Sequence, residues 1–230
     1  MIVGENLNSL DVKVPGDAYY TQKDSPMFNA FITIIVRDSN GNIVNIHRQR
    51  SHSPTKNFII YFVPIYYLYS NNISITVTDT SNNTYTNSSN PAFGISYPSN
   101  QKNVPSYLVM IAVGSGSQSN VYNAYNLAAP IANGSGTGQL VYGSPSISTS
   151  ITVSGSSAYF YISQTFSNYS GGTVTITEVG IITGLAQNIA NGSSVGSTIQ
   201  MLMWYDVLSS SISVPNGGSV TIYYTFTVNP

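Results

Sequence analysis

Beyond Lys102 this sequence contains neither lysine nor arginine, and over its last 128 residues only Glu178 and Asp206 can carry a charge. A soluble domain ordinarily gives about a quarter of its residues to Asp, Glu, Lys and Arg; here the whole chain gives 7%. A surface of Ser, Thr, Asn, Gly and Tyr does not repel its neighbours by charge, and a net charge near zero favours association. Charged residues are also depleted from the centres of protein interfaces. Cysteine is absent as well, which excludes disulfide staples, thiolate metal sites and cysteine nucleophiles. The first residues lack a basic stretch followed by an apolar run, so no signal peptide is expected. The longest apolar run, FIIYFVPIYYLY at 58–69, is interrupted by Pro64 and falls short of the roughly 20 residues a spanning helix needs. With a net charge of −1 no global field draws the chain to nucleic acid or to an anionic membrane.

What is present reads almost entirely as β-strand. Alternation of apolar and polar residues recurs, rich in β-branched and aromatic types and punctuated by Gly, Asn, Pro and Ser. In the N-terminal part, residues 31–36 and 42–47 flank Asp38-Ser39-Asn40-Gly41, and Asn-Gly suits a type I′ hairpin turn. ISITVTD at 73–79 repeats ITIIVRD at 32–38 with an offset of 41 residues, so a second hairpin of like design is expected. Residues 87–105 are proline-rich and polar and read as a linker. In the C-terminal part strands are expected near 107–113, 139–142, 148–153, 158–166, 173–182, 199–208, 211–214 and 219–228, with a turn at Asn216-Gly217-Gly218. A short helix is expected at most at 122–131. The predicted fold is therefore all-β, two tandem antiparallel β-sandwich domains, residues 1–100 and 101–230, the second jelly-roll-like.

Candidate chemistry is sparse. The one cationic cluster gathers His47, Arg48, Arg50, His52 and Lys56 in what reads as a loop between the strand at 42–47 and the apolar run. Without interleaved aromatics it is a weak nucleic-acid footprint, and a solvated loop or a contact to an acidic partner explains it better. His47 and His52 have no carboxylate between them, so no metal site is expected. The Asp38–Asn42 run lacks the later acid a calcium loop needs. Gly114-Ser115-Gly116-Ser117 lacks the lysine of a phosphate loop, and no nucleophile elbow appears; neither enzymatic activity nor a cofactor is expected. Six Asn-x-Ser/Thr sequons, at Asn72, Asn82, Asn87, Asn133, Asn168 and Asn191, are no more than chance supplies in so polar a chain. Eighteen tyrosines suit half-buried strands and interfaces, or stacking on sugars. Alternation in TVTITEVG (173–180) puts Glu178 on the face of Val174 and Ile176. Glu178, with Asp206, is thus a candidate buried or interface carboxylate, held by backbone amides or by a neighbour.

Three segments together, YLVMIAVGSGS (107–117), GGTVTITEVGIIT (171–183) and MLMWYDVLSSSISVPNGGSVTIYYTFTV (201–228), resemble a β-sandwich domain of virion tail and vertex proteins. They look most like the vertex proteins, penton base or turret, of turreted icosahedral archaeal viruses. The resemblance covers about residues 105–230 and implies self-assembly without catalysis. It leads to the expectation of a capsid or vertex protein located in the virion and assembled in the host cytoplasm. Its partners would be copies of itself, a pentamer among the options, and other capsid proteins. A receptor- or glycan-binding fibre or adhesin module, or a filament subunit at the cell surface, is the alternative.

Overall fold

The computed structural model describes residues 12–14, 18–20, 27–51, 53–60, 75–87, 109–148, 151–154, 157–186 and 198–229. They form fourteen strands: β1 (Val12–Val14), β2 (Ala18–Tyr20), β3 (Met27–Arg37), β4 (Ile43–Ser51), β5 (Ile75–Thr78), β6 (Thr84–Asn87), β7 (Val109–Gly114), β8 (Val141–Tyr142), β9 (Ser146–Ile147), β10 (Thr152–Ser154), β11 (Ser157–Ser167), β12 (Val174–Ala186), β13 (Thr198–Val214) and β14 (Ser219–Asn229). All named pairings are antiparallel, and the all-β prediction holds. The linker expected at 87–105 lies almost wholly outside the described residues. The helix expected at 122–131 is a series of turns and bends; helix among the described residues is confined to 56–60.

Two sheets make the sandwich. One runs β10-β11-β14-β3-β4, with β8 and β9 also on β11. The partners Tyr142↔Phe166, Ile147↔Ile162 and Thr152↔Tyr159 show that β8, β9 and β10 follow one another along the same side of β11. They act as a single edge strand broken by extra residues, as bulges break an edge. The second sheet is β13-β12-β7. Alternation sends Ile32, Ile34 and Val36 of β3, Ile222, Tyr224 and Phe226 of β14, and Ile162 and Phe166 of β11 into one core. There they meet Ile111 and Val113 of β7, Val174 and Ile176 of β12, and Trp204, Ile212 and Val214 of β13. The outer edge of β7 is met at its end by residues 129–131, where Ile131 N donates to Val113 O and Ser115 N to Ala129 O, and before that by Gln164 of the facing sheet, whose Oε1 accepts from Ile111 N at 2.7 Å while its Nε2 donates to Gly143 O at 2.9 Å.

This topology corrects the division at residue 100. β3, from the N-terminal part, pairs along its whole length with β14, from Met27↔Asn229 to Arg37↔Ser219. The expected jelly roll of residues 101–230 is thus not closed on itself, since its last strand lies between β11 and β3. The chain then crosses from sheet to sheet after β4. Tyr205 donates its N–H to Ser53 O and Thr55 its N–H to Met203 O, which extends the second sheet beyond β13.

The hairpin turns are explained by their acids. Gly41 has φ +84°, but Asn40 is not left-handed, so the turn is not type I′. Asp38 Oδ1 accepts from Asn40 N and Asn42 N, and Asn42 Nδ2 donates to Oδ2. With Gly41 N donating to Asp38 O, this is a type I turn closed by a left-handed residue. Asn42 is the main reason the Asp38 carboxyl lies below its ordinary pKa. The second hairpin repeats the device 41 residues on. Asp79 Oδ1 accepts from Ser81 N and Asn83 N, Asn83 Nδ2 donates to Oδ2, and Asn82 takes the left-handed position at φ 66°. β5 and β6 pair only with each other among the described strands, and Asn57 joins the hairpin through Thr78.

The corners at 168–173 and 215–218, where β11 passes to β12 and β13 to β14, are tied by Asn168. Its Nδ2 donates to Gly172 O and Val214 O, each at 2.8 Å, and its Oδ1 accepts from Ser170 N and Ser170 Oγ. The side chain is buried, so this sequon offers nothing to modify on the folded surface, whereas Asn82 and Asn133 are exposed. Asn168→Ala should cost about 2–4 kcal/mol by stranding buried carbonyls, read as a lowered urea midpoint with an unchanged slope. Asn168→Asp, which turns a carboxylate oxygen toward the carbonyls of Gly172 and Val214 in a buried site, should cost at least as much as alanine.

Candidate functional site

The cationic stretch is not a loop. β4 continues to Ser51, so His47, Arg48 and Arg50 lie on a strand; His52 falls outside the described residues, and Lys56 opens the helical turn at 56–60. Alternation along β4 separates them. Arg48 and Arg50 are exposed on the outer face of the first sheet. His47 and Gln49 turn the other way, toward β13: His47 Nε2 shares a hydrogen bond with Gln49 Oε1, Gln49 Nε2 donates to Val207 O, and Ser209 N donates to Gln49 Oε1. The four described residues therefore do not converge on one site. Among the described residues no group of acids and histidines could hold a metal ion.

Glu178 and Asp206 are both buried, on opposite faces of the second sheet. In the register of β12 with β13, Ile176 faces Ile212 but Glu178 faces Val207, so Thr177 alone opposes four residues, 208–211. Across this bulge the alternation inverts. Val174 and Ile176 point into the sandwich before it, and Val179 and Ile181 after it. Glu178 therefore points outward, not to the face of Val174 and Ile176 as period-2 alternation predicts. It is buried there because the long connection from β7 to β8 folds back over the sheet. Met110, Ala112, Ala124, Leu127, Ile182, Leu202 and Tyr205 form a second apolar cluster beneath that connection.

The Glu178 carboxylate is the clasp of the covering segment. Oε1 accepts from Ala129 N at 2.7 Å and Gly116 N at 3.2 Å; Oε2 accepts from Ala128 N at 2.9 Å and from Tyr205 Oη at 2.7 Å. Gly114 is its cross-strand partner, and a Cβ there would overlap the carboxyl oxygen and lie 2.7 Å from Ala129 O. A side chain at Gly116 would meet Ala129 N at 2.8 Å. The glycine-serine run thus exists for close approach of backbone to backbone. Burial, then the hydrogen bond to Glu178, pushes the Tyr205 hydroxyl pKa well above its ordinary value.

Asp206 faces the interior of the sandwich. Its Oδ2 accepts from Ser51 Oγ at 2.7 Å and from Tyr224 Oη at 3.1 Å, and Ser51 Oγ in turn accepts from Trp204 Nε1. Trp204 packs edge-on against Phe58 at 4.6 Å and Phe226 at 5.3 Å. Asp206 thus joins the end of β4, β13 and β14. Burial first, then its negative charge, raises the Tyr224 pKa. Both acids serve as internal hydrogen-bond acceptors that tie separate segments of the chain together.

A feature without a sequence signal is the exposed apolar edging of the first sheet. On β4, Ile43, Val44 and Ile46 are 52%, 55% and 53% exposed; along the opposite edge Ile147, Ile151 and Val153 are 46%, 66% and 71% exposed. The outer backbone of neither edge is paired to another strand among the described residues. In sequence these residues are indistinguishable from the buried Ile and Val of the core.

The chain matches no protein-family model, no curated protein and no solved structure. No helix among the described residues is long and apolar enough to cross a membrane.

Proposed function

We propose that the chain is a structural subunit of a virion shell, a capsid or vertex component, that assembles with copies of itself through the two edges of its seven-stranded sheet. The observation that carries this reading is that both edges of one sheet bear exposed β-branched residues, where proteins that stay apart blunt their edges with charge or proline. The β4 edge and the β8–β10 edge lie on opposite sides of the subunit, so joining one to the other is head-to-tail. Such a contact closes into a ring if the rotation allows and otherwise grows as a filament. The shortage of charge removes the repulsion that would oppose it. The virion itself is supported by the three sequence segments and by nothing else; it is tested by looking for the chain in purified particles.

The edge mechanism has its own test. Ile46→Lys with Val44→Lys should disable one edge, and Ile151→Lys with Val153→Lys the other. Each double variant should sediment as a monomer with little change in melting temperature, since the substituted side chains are exposed. Mixed, the two variants should form dimers and nothing larger, because each retains the edge the other lacks. A wild-type chain that stays monomeric at high concentration, or variants that assemble as it does, would end this reading.

A further inference from the structure

We propose that the outer face of the seven-stranded sheet, at Arg48 and Arg50, binds a sugar that carries a carboxylate or sulfate group. An open cleft of about 480 Å³ lies on this face between the two arginines, Phe31, Thr33 and Thr225, floored by the backbone of β3 and β4 at Ile32 and Gln49. The register builds it in rows: Arg50, Phe31, Thr225 and Tyr161 are successive cross-strand neighbours, and Arg48, Thr33, Tyr223 and Ser163 form the next row. Residues far apart in sequence thus set an aromatic, Phe31, beside the cations, which the linear stretch 47–56 lacks. Two residues along a strand set the arginines about 7 Å apart, a separation that brackets one anionic group. Arg50 is held in place by donating from Nη2 to Asn29 Oδ1 at 2.6 Å.

Among the described residues the face has cations and no acid to satisfy them. Of the acids among the described residues, Asp38 and Asp79 accept hydrogen bonds within their own turns, Glu178 lies under the β7–β8 connection and Asp206 between the sheets. A guanidinium offers paired donors that match a carboxylate or sulfate. Thr33 and Thr225 add hydroxyls for a polyhydroxylated body, and Phe31, 42% exposed, gives a ring face for its C–H groups. A nucleic acid strand is the poorer fit, because it needs a continuing track of cations. Here Arg37 is the next, six residues beyond Phe31 and past Ile35 and Ile46.

The site uses the Arg48–Arg50 half of β4 and does not depend on assembly through Ile43–Ile46. The test is calorimetric titration of the whole chain with sialyllactose, 3′-sulfated lactose, neutral lactose and a ten-residue oligothymidylate. Binding of an acidic sugar with Kd below about 1 mM is expected, with lactose silent. Which acidic sugar binds tells carboxylate from sulfate. Arg48→Gln with Arg50→Gln should weaken it about tenfold or more, Phe31→Ala should weaken it as well, and Arg37→Gln should leave it unchanged. The double variant loses the Arg50–Asn29 hydrogen bond and should melt only a few degrees lower, with an unchanged β-sheet circular dichroism spectrum, so lost binding is not lost folding. Binding of the oligonucleotide but no sugar, equal binding of lactose, indifference to the double arginine substitution, or no binding at all would each overturn the proposal.

Discussion

Replacing Glu178 with alanine should destabilise the chain by about 3–5 kcal/mol, the range for removing one partner from a buried charged network. Four donors would be left behind: the amides of Gly116, Ala128 and Ala129 and the hydroxyl of Tyr205. Each buried donor without a partner costs about 1–3 kcal/mol, and the sum is reduced because the covering segment can lift and admit water. Glu178→Gln keeps the volume but turns an amide NH₂ toward donors, so a loss of about 1–3 kcal/mol is expected. Tyr205→Phe removes one donor to the carboxylate and one acceptor for Gln118 N and should cost about 1–2 kcal/mol. The order should be alanine, glutamine, then Tyr205→Phe, read from urea midpoints. Hydrogen exchange distinguishes a clasp from a general core defect: amides at 116, 128 and 129 should lose protection far more than those of β3 or β14. Uniform loss of protection across both sheets, or a glutamine variant as stable as wild type, would contradict the role given to Glu178.

The reason sequence placed Glu178 on the wrong face lies outside β12. Period-2 alternation is reliable only while the register holds, and the extra residues that break it, 208–211, belong to β13. The same limit applies to the partition at residue 100. A change in composition there is real, but the pairing of β3 with β14 joins residues about 190 positions apart, and no local pattern encodes which strands meet. What is local was legible. β11, β12 and β14 fall where β-branched alternation puts them, and Asp38 and Asp79 mark the two turns that share one hydrogen-bond plan. The expected strands at 199–208 and 211–214 are one strand, β13, with the bulge between them. The edges were not legible because Val153 and Ile34 look alike until neighbours are assigned. The arginine cleft was hidden for a related reason: Phe31, Thr33 and Thr225 come beside Arg48 and Arg50 only across the sheet.

A chain with few charges has used its two C-terminal acids as acceptors for tyrosine hydroxyls, Tyr205 on Glu178 and Tyr224 on Asp206. Tyr142 is the third of the kind, donating to Ile131 O at 2.6 Å beneath the edge-on ring of Phe166 at 4.7 Å. These three tyrosines set the alkaline limit of the fold. Burial pushes the Tyr142 pKa up to about 12, and burial together with the neighbouring acid raises Tyr205 and Tyr224. A group whose pKa is higher in the folded state binds its proton longer there than in the unfolded chain. Its contribution is complete below the unfolded value of about 10 and is lost as pH rises above it. Each fully enclosed group lowers stability by about 1.4 kcal/mol per pH unit within its window, so Tyr142 and Tyr224 give a slope of about 3 kcal/mol per unit above pH 10, to which Tyr205, nearer solvent, adds a smaller share. Against a total stability of roughly 5–15 kcal/mol, cooperative unfolding is expected before the folded tyrosines titrate. Urea midpoints should therefore be flat from neutral pH to about 10 and then fall steeply, with tyrosinate absorbance from the buried groups appearing together with loss of β-structure. Tyr142→Phe should remove between a third and a half of the slope, and the loss contributed by Tyr142 should amount to about 2 kcal/mol by pH 12. A stability that stays level from pH 10 to 12, or tyrosinate absorbance that saturates near pH 10 while the fold persists, would show that these hydroxyls are not held as described.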